Sequence, residues 1–78
     1  MNRPLFAIAR EIRNDWRSVN RAAEPYLAAM AALTSIREMY FGERGDTIVF
    51  YFLVNASTWR GPVAEAIKAE LQTLLRGV

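Results

Sequence analysis

One apolar stretch decides how this chain folds, and it reads Asp-Thr-Ile-Val-Phe-Tyr-Phe-Leu-Val at residues 46–54. Residues 47–54 have the composition of a β-strand. However, no Gly or Pro interrupts residues 46–57, and no second strand candidate exists in the chain to pair with them. Asp46 is also a residue type that favours a helix N-cap. We therefore predict a helix over about 46–57, with a strand over 47–54 paired to another subunit as the alternative.

The predicted helix carries apolar side chains around its whole circumference, a pattern that predicts burial on every side. Two arrangements provide that burial. The helix is central and wrapped by the other helices, or its remaining surface is covered by a second copy or another protein. A chain of 78 residues has little spare core, so both arrangements stay open. The aromatic residues of the helix are the first candidates for a protein interface: Phe50, Tyr51 and Phe52.

Three amphipathic segments flank this stretch and predict three more helices. Each begins near a proline, which suits a first helical turn. The first spans Pro4 to about Asn20, the second Pro25 to about Tyr40, and the last Pro62 to about Leu75. Gly42 would end the second helix, with residues 43–45 as a short loop. The prediction is an all-α, compact four-helix domain with short connections, one domain over residues 1–78.

The composition argues against most catalytic chemistry. The chain has no cysteine and no histidine, so disulfides and His- or Cys-based nucleophile systems are excluded. Lys68 is the only lysine and lies between Glu65 and Glu70, which predicts a solvated ion pair. The carboxylate pairs Glu11/Asp15 and Glu43/Asp46 offer too few oxygen ligands for calcium. We expect no enzyme activity, no metal, no cofactor and no small-molecule substrate.

Targeting signals are not evident in the sequence. The longest apolar run, residues 48–54, is far shorter than the roughly 20 residues that span a bilayer. The apolar stretch near Arg3 is too short for a secretory signal. By elimination, we expect a cytoplasmic protein without a membrane partner.

Arginines recur along the first predicted helix at spacings of three and four residues. On a helix, such spacing places side chains on one side. Three interpretations stay open: a solvated outer face, a contact for a nucleic-acid backbone, and a contact for an acidic protein. The residues concerned are Arg10, Arg13, Arg17 and Arg21.

The junction before the last helix contains Trp59 and Arg60. A Trp beside an Arg is typical of an interface anchor. The same Trp could instead close the end of a helical bundle, with its indole N–H bonded to a loop carbonyl. We favour the second interpretation for Trp59 but keep both residues as interface candidates. Trp16 lies on the apolar face of the first helix and is predicted to be core.

The last third of the chain contains the segments Tyr51-Phe52-Leu53, Asn55-Ala56, Trp59-Arg60-Gly61, Ala64, Ile67-Lys68 and Glu70-Leu71. In these residues the chain resembles small uncharacterised proteins encoded by actinobacteria and their phages. The resemblance carries no site residues with it. What it implies is a small regulatory or host-interacting role.

The sequence therefore predicts a small helical protein–protein interaction module, a regulator or adaptor. The expected contact uses the apolar surface around residues 50–52 and the Trp59-Arg60 junction, with a homodimer as a companion hypothesis. The alternative function is nucleic-acid binding through the four arginines of the first helix.

Overall fold

The computed structural model describes residues 2–77, which contain four α-helices and one two-stranded antiparallel hairpin. The predicted four-helix architecture is confirmed, and the apolar stretch is a helix rather than a strand. The hairpin was not predicted. In chain order the elements are α1 (Leu5–Asp15), α2 (Glu24–Met30), β1 (Met39–Tyr40), β2 (Glu43–Arg44), α3 (Gly45–Val54) and α4 (Pro62–Arg76).

The first helix is shorter than predicted, because α1 ends at Asp15 instead of near Asn20. Trp16 leaves the helical conformation, with ψ at 85°, and residues 16–23 form turns. Asn20 stabilises these turns: its Oδ1 accepts from the N–H of Ala23 at 2.8 Å, and its Nδ2 donates to the Asn55 carbonyl at 2.9 Å. Short polar side chains compete with helix hydrogen bonds in this way.

The second helix is also shorter than predicted, because α2 ends at Met30 rather than near Tyr40. Beyond it, one carboxylate oxygen of Glu38 accepts hydrogen bonds from the N–H groups of Thr34 and Ser35, at 2.7 and 3.3 Å. The carbonyl oxygens of Thr34 and Leu33 in turn accept hydrogen bonds from the first two N–H groups of α1, those of Leu5 and Phe6. The loop therefore caps α1, a use of its backbone that a longer α2 would prevent.

The hairpin pairs Met39 with Arg44 and Tyr40 with Glu43 around a two-residue turn. Phe41 and Gly42 form this turn, with φ of 50° and 84°. Gly45, predicted to be loop, begins α3 and is buried against the backbone of Ile36. Asp46 is consequently the second residue of α3 and not its N-cap, which is Arg44.

The hydrophobic core lies between the four helices, and Phe52 of α3 is its largest fully buried side chain. The amphipathic faces of α1 and α4 supply Leu5, Ile8, Ile12, Ile67 and Leu71. Arg3 links these two helices at the surface, with hydrogen bonds of 2.7 Å to both Glu11 and Glu70. The core therefore uses one side of α3, and the opposite side of this helix is exposed.

Candidate interaction surface

One side of α3 remains at the surface although nearly all of its side chains are apolar. Ile48, Val49 and Phe52 point into the core. On the opposite side, Phe50, Tyr51 and Val54 are 51%, 44% and 56% exposed. Together with half-buried Thr47 they form the α3 stripe, defined as residues 47, 50, 51 and 54. This side is not covered by the other helices, so the prediction of burial all round fails within a single chain.

Aromatic contacts hold the rings of the α3 stripe in place. Tyr51 stacks against Tyr26 of α2 with ring centroids 5.8 Å apart. Phe50 meets the edge of Tyr51 at 5.3 Å. The three rings form a row from α2 to the middle of α3, and each restricts the rotation of its neighbour. The exposed surface is therefore built from rings that contact one another.

A shallow groove of about 470 Å³ borders the α3 stripe on the side of α4. We call it the α3–α4 groove. Its walls are mainly aliphatic and aromatic, while an amide and a guanidinium lie on the α4 side. The residues that line it are Phe50, Leu53, Val54, Gln72, Leu75 and Arg76.

An ion pair marks the N-terminal end of the α3 stripe. Arg44 donates to both carboxylate oxygens of Asp46, at 3.1 and 2.6 Å. The Arg44 guanidinium and, to a smaller degree, Thr47 lower the pKa of this carboxyl below its ordinary value. Arg44 also lines a surface depression together with Phe50, Tyr51 and Leu75. The base of the hairpin therefore adjoins the groove.

The tip of the hairpin adds a second exposed aromatic feature, which the sequence-based prediction missed. Phe41 is 94% exposed, and Met39 nearby is 58% exposed. The rings of Tyr40 and Phe41 are nearly perpendicular, with their centroids 4.7 Å apart. A two-residue connection ending in Gly, as here in Phe41-Gly42, is the available sequence signal for such a hairpin.

The predicted interface residues separate into two groups. Phe50, Tyr51 and Arg60 are exposed, as an interface requires. Phe52 and Trp59 are 0% and 2% exposed. Their side chains are already buried in the domain's own core, so neither belongs to the exposed surface.

Trp59 instead closes one end of the bundle, in agreement with the interpretation favoured from sequence. Its ring stacks on Trp16 at 5.7 Å, with only 9° between the planes, and meets Phe52 at 6.3 Å. Its indole Nε1 donates to the Asp15 carboxylate at 2.8 Å, not to a loop carbonyl as predicted. The predicted ion pair of Lys68 is wrong: Nζ donates to the Trp59 carbonyl at 2.6 Å and lies 5.8 Å from the ring centroid.

The four arginines predicted to line one helix face do not form a continuous row. Only Arg10 and Arg13 belong to α1, because the helix ends before Arg17 and Arg21. Arg13 is paired with Glu24 at 2.6 Å. The Arg17 Nε donates to the Asn14 carbonyl at 3.1 Å. The geometric basis for a row extending over three helical turns is therefore lost.

Three of the four carboxylates in the two predicted pairs are engaged in contacts of their own. Glu11 accepts from Arg3, while Asp15 accepts from Trp59. Asp46 is paired with Arg44. Within residues 2–77, no group of three or more carboxylates is arranged to hold a metal ion.

The fold and the surface together define a small helical domain with an exposed apolar patch. Comparison of the chain with protein-family models, curated proteins and solved structures finds no match. In the part of the chain that the structure describes, the helices are too short or too polar to cross a membrane.

Proposed function

We propose that this domain is a non-enzymatic protein–protein interaction module, a small regulator or adaptor, that associates with a second copy of itself through the α3 stripe. The observation that carries the proposal is the exposure of Phe50, Tyr51 and Val54 on one side of a helix whose other side forms the core. Contiguous exposed apolar surface of this kind marks interaction sites. Aromatic residues are also enriched at interfaces.

The ring contacts of this surface favour binding. Phe50 and Tyr51 are in ring contact at 5.3 and 5.8 Å, and such contacts reduce the side-chain freedom that association would remove. The rings stand on a helix that is anchored by Ile48, Val49 and Phe52 on its other side. Each apolar group that leaves water on binding contributes about 25 cal/mol per Å².

A second copy is a suitable partner because the α3 stripe is self-complementary. Its members follow the i, i+3, i+4, i+7 spacing through which helices pack against each other. Residues 47–54 carry no charge, so two stripes meet without like-charge repulsion. An antiparallel arrangement places Phe50 of one copy opposite Tyr51 of the other. It also keeps the two Asp46 carboxylates at opposite ends, whereas a parallel one brings them together.

The absence of an enzymatic role is part of the same proposal. Lys68 is the one lysine, and its ammonium group bonds to a backbone carbonyl and lies over an indole ring. Nucleic-acid binding stays a prediction with weaker support. Of the four arginines, α1 contains only Arg10 and Arg13, and Arg13 is paired with Glu24. The small regulatory role that the resemblance to actinobacterial and phage proteins implies is also a prediction.

Sedimentation velocity tests the proposal with matched variants. We expect the wild-type chain to associate as its concentration rises, and Phe50→Ser or Val54→Ser to weaken association by at least about tenfold. Phe6→Ser is the control, because Phe6 is 41% exposed but lies on α1, outside the stripe. Equal association of all four proteins would contradict the proposal. Circular dichroism confirms that each variant is folded.

A further inference from the structure

Phe41 is held outside the domain by a backbone conformation that its side chain does not favour. Its φ of 50° lies in the left-handed region, and Gly42 follows with φ of 84°. Two consecutive positive φ values define the tight hairpin turn that prefers Asn or Asp before Gly. A phenylalanine in this position is uncommon, because its Cβ crowds the following carbonyl.

Packing within the chain does not explain this phenylalanine. Its side chain is 94% exposed, and its ring contact is with the neighbouring Tyr40. The residue therefore contributes neither to the turn's preferred geometry nor to the core. A strained residue with no structural benefit of its own points to a use outside the chain.

The α3–α4 groove offers an apolar site suited to a phenyl ring. Leu53, Val54 and Leu75 line this shallow groove, so a phenyl ring placed there would contact apolar side chains. Arg76 lies on its α4 side and forms no ion pair within residues 2–77. Beside the hairpin tip, Glu43 is exposed and has no ion-pair partner in the same part of the chain. The charges next to the ring and next to the groove are thus opposite.

The hairpin and the groove occupy the same side of the molecule. Arg44 in β2 lines the depression that also contains Phe50 and Leu75, two residues of the groove region. A two-fold symmetric dimer requires one patch that carries both halves of the contact. This surface meets that requirement.

We propose that Phe41 of one copy inserts into the α3–α4 groove of a second copy, while the second copy's Phe41 occupies the groove of the first. Glu43 of each copy then faces Arg76 of the other at the rim. This inference rests on the proposed self-association and specifies how it is achieved. The pairing combines a protruding ring, an apolar groove and complementary charges, all present on one chain.

Two variants separate the halves of the contact. Phe41→Asn removes the ring and supplies a residue that the turn prefers, so its fold is preserved. Leu75→Arg fills and charges the groove at a half-buried site near the end of α4. Each should weaken self-association by at least about tenfold. Charge reversal adds a second measurement: Glu43→Lys and Arg76→Glu should each weaken association, and the double variant should recover it.

The decisive experiment mixes the two variants, each carrying one dye of an energy-transfer pair. Neither homodimer has an intact ring-and-groove contact, but the mixed dimer has one. We therefore expect the mixture to associate more tightly than either variant alone. If Phe41→Asn associates like the wild type while Phe50→Ser does not, this inference is wrong and the proposed function stands. If the wild type does not associate at all, both are wrong.

Discussion

The indole Nε1 of Trp59 donates a 2.8 Å hydrogen bond to Oδ2 of Asp15, across 44 positions of sequence. The bond joins the last residue of α1 to the junction before α4. It lies beside the stack of Trp59 on Trp16, at the point where the chain leaves α1. Asp15 therefore stabilises both the end of α1 and the orientation of the ring that closes the bundle.

Asp15→Ala should lower the free energy of unfolding by about 1–2 kcal/mol, because the indole N–H of buried Trp59 loses its carboxylate acceptor. Asp15→Asn keeps an acceptor oxygen and should cost less. Urea unfolding followed by tryptophan fluorescence measures both changes. An Asp15→Ala protein that unfolds at the wild-type urea concentration would show that this bond does not stabilise the domain.

Gly45→Ala tests the close packing at the start of α3. A Cβ at this position would lie 2.8 Å from the carbonyl oxygen of Ile36 and 2.9 Å from two further backbone atoms of the same residue. Since backbone cannot move aside like a flexible side chain, we expect a loss of about 1–3 kcal/mol in thermal or urea unfolding.

Gly77→Ala is the matched control for this change. Its added methyl group would lie 3.6 Å from the Leu74 carbonyl oxygen, which is ordinary van der Waals contact. Its φ of −80° also suits any residue. Its stability should stay within about 0.5 kcal/mol of the wild type. Equal effects of the two alanines would contradict the packing described for Gly45.

Phe41→Asn should move stability and association in opposite directions. Relief of the left-handed strain should raise the free energy of unfolding of the isolated chain by about 1 kcal/mol. Loss of the ring should weaken the dimer. Denaturation at a concentration where the chain is monomeric measures the first effect, and sedimentation measures the second. A variant that is less stable and associates normally would assign Phe41 a purely internal role.

The ion pair between Arg13 and Glu24 should make stability depend on acid. The hydrogen bonds from Arg13 lower the pKa of Glu24 in the folded protein below its ordinary value of 4.5. The resulting stabilisation is complete above that value and is lost as the pH falls through the folded-state pKa. Both side chains are more than 40% exposed, so the contribution should not exceed about 1 kcal/mol.

Glu24→Gln removes this contribution and can be checked by urea unfolding between neutral pH and about pH 3. The variant should be less stable than the wild type at neutral pH, and the difference should shrink in acid. Arg13→Gln should have the same effect, whereas Arg10→Gln, on the same helix without an ion pair in residues 2–77, should not. A difference that grows as the pH falls would contradict the pKa direction.

The parts of the fold that sequence predicted well are those with long amphipathic periodicity. The last helix was expected over Pro62 to Leu75 and spans Pro62–Arg76. Its apolar stripe is uninterrupted. Pro62 begins the helix and Gly77 follows its end, and both signals depend on local sequence alone. The helical state of residues 46–54 was predicted for a topological reason, since no partner strand was available.

The other features of the fold depend on interactions between distant residues or on very short elements, which hydrophobic periodicity does not reveal. α1 ends early because the side chain of Asn20 bonds to turn backbone and to Asn55, far along the chain. The hairpin was missed because strands of two residues carry no alternation to recognise. Exposure of the α3 stripe could not be read from α3 alone, because it depends on where the other helices pack against α3.

Sedimentation equilibrium of the wild-type chain beside Phe50→Ser, from low micromolar to near-millimolar concentration, measures self-association through the α3 stripe. Association through the α3 stripe predicts a wild-type mass that rises with concentration towards twice the chain's 8.9 kDa. It also predicts that Phe50→Ser reaches the same average mass only at a concentration at least about tenfold higher. A wild-type mass that stays at 8.9 kDa throughout would contradict the account. So would a Phe50→Ser protein that dimerises as strongly as the wild type.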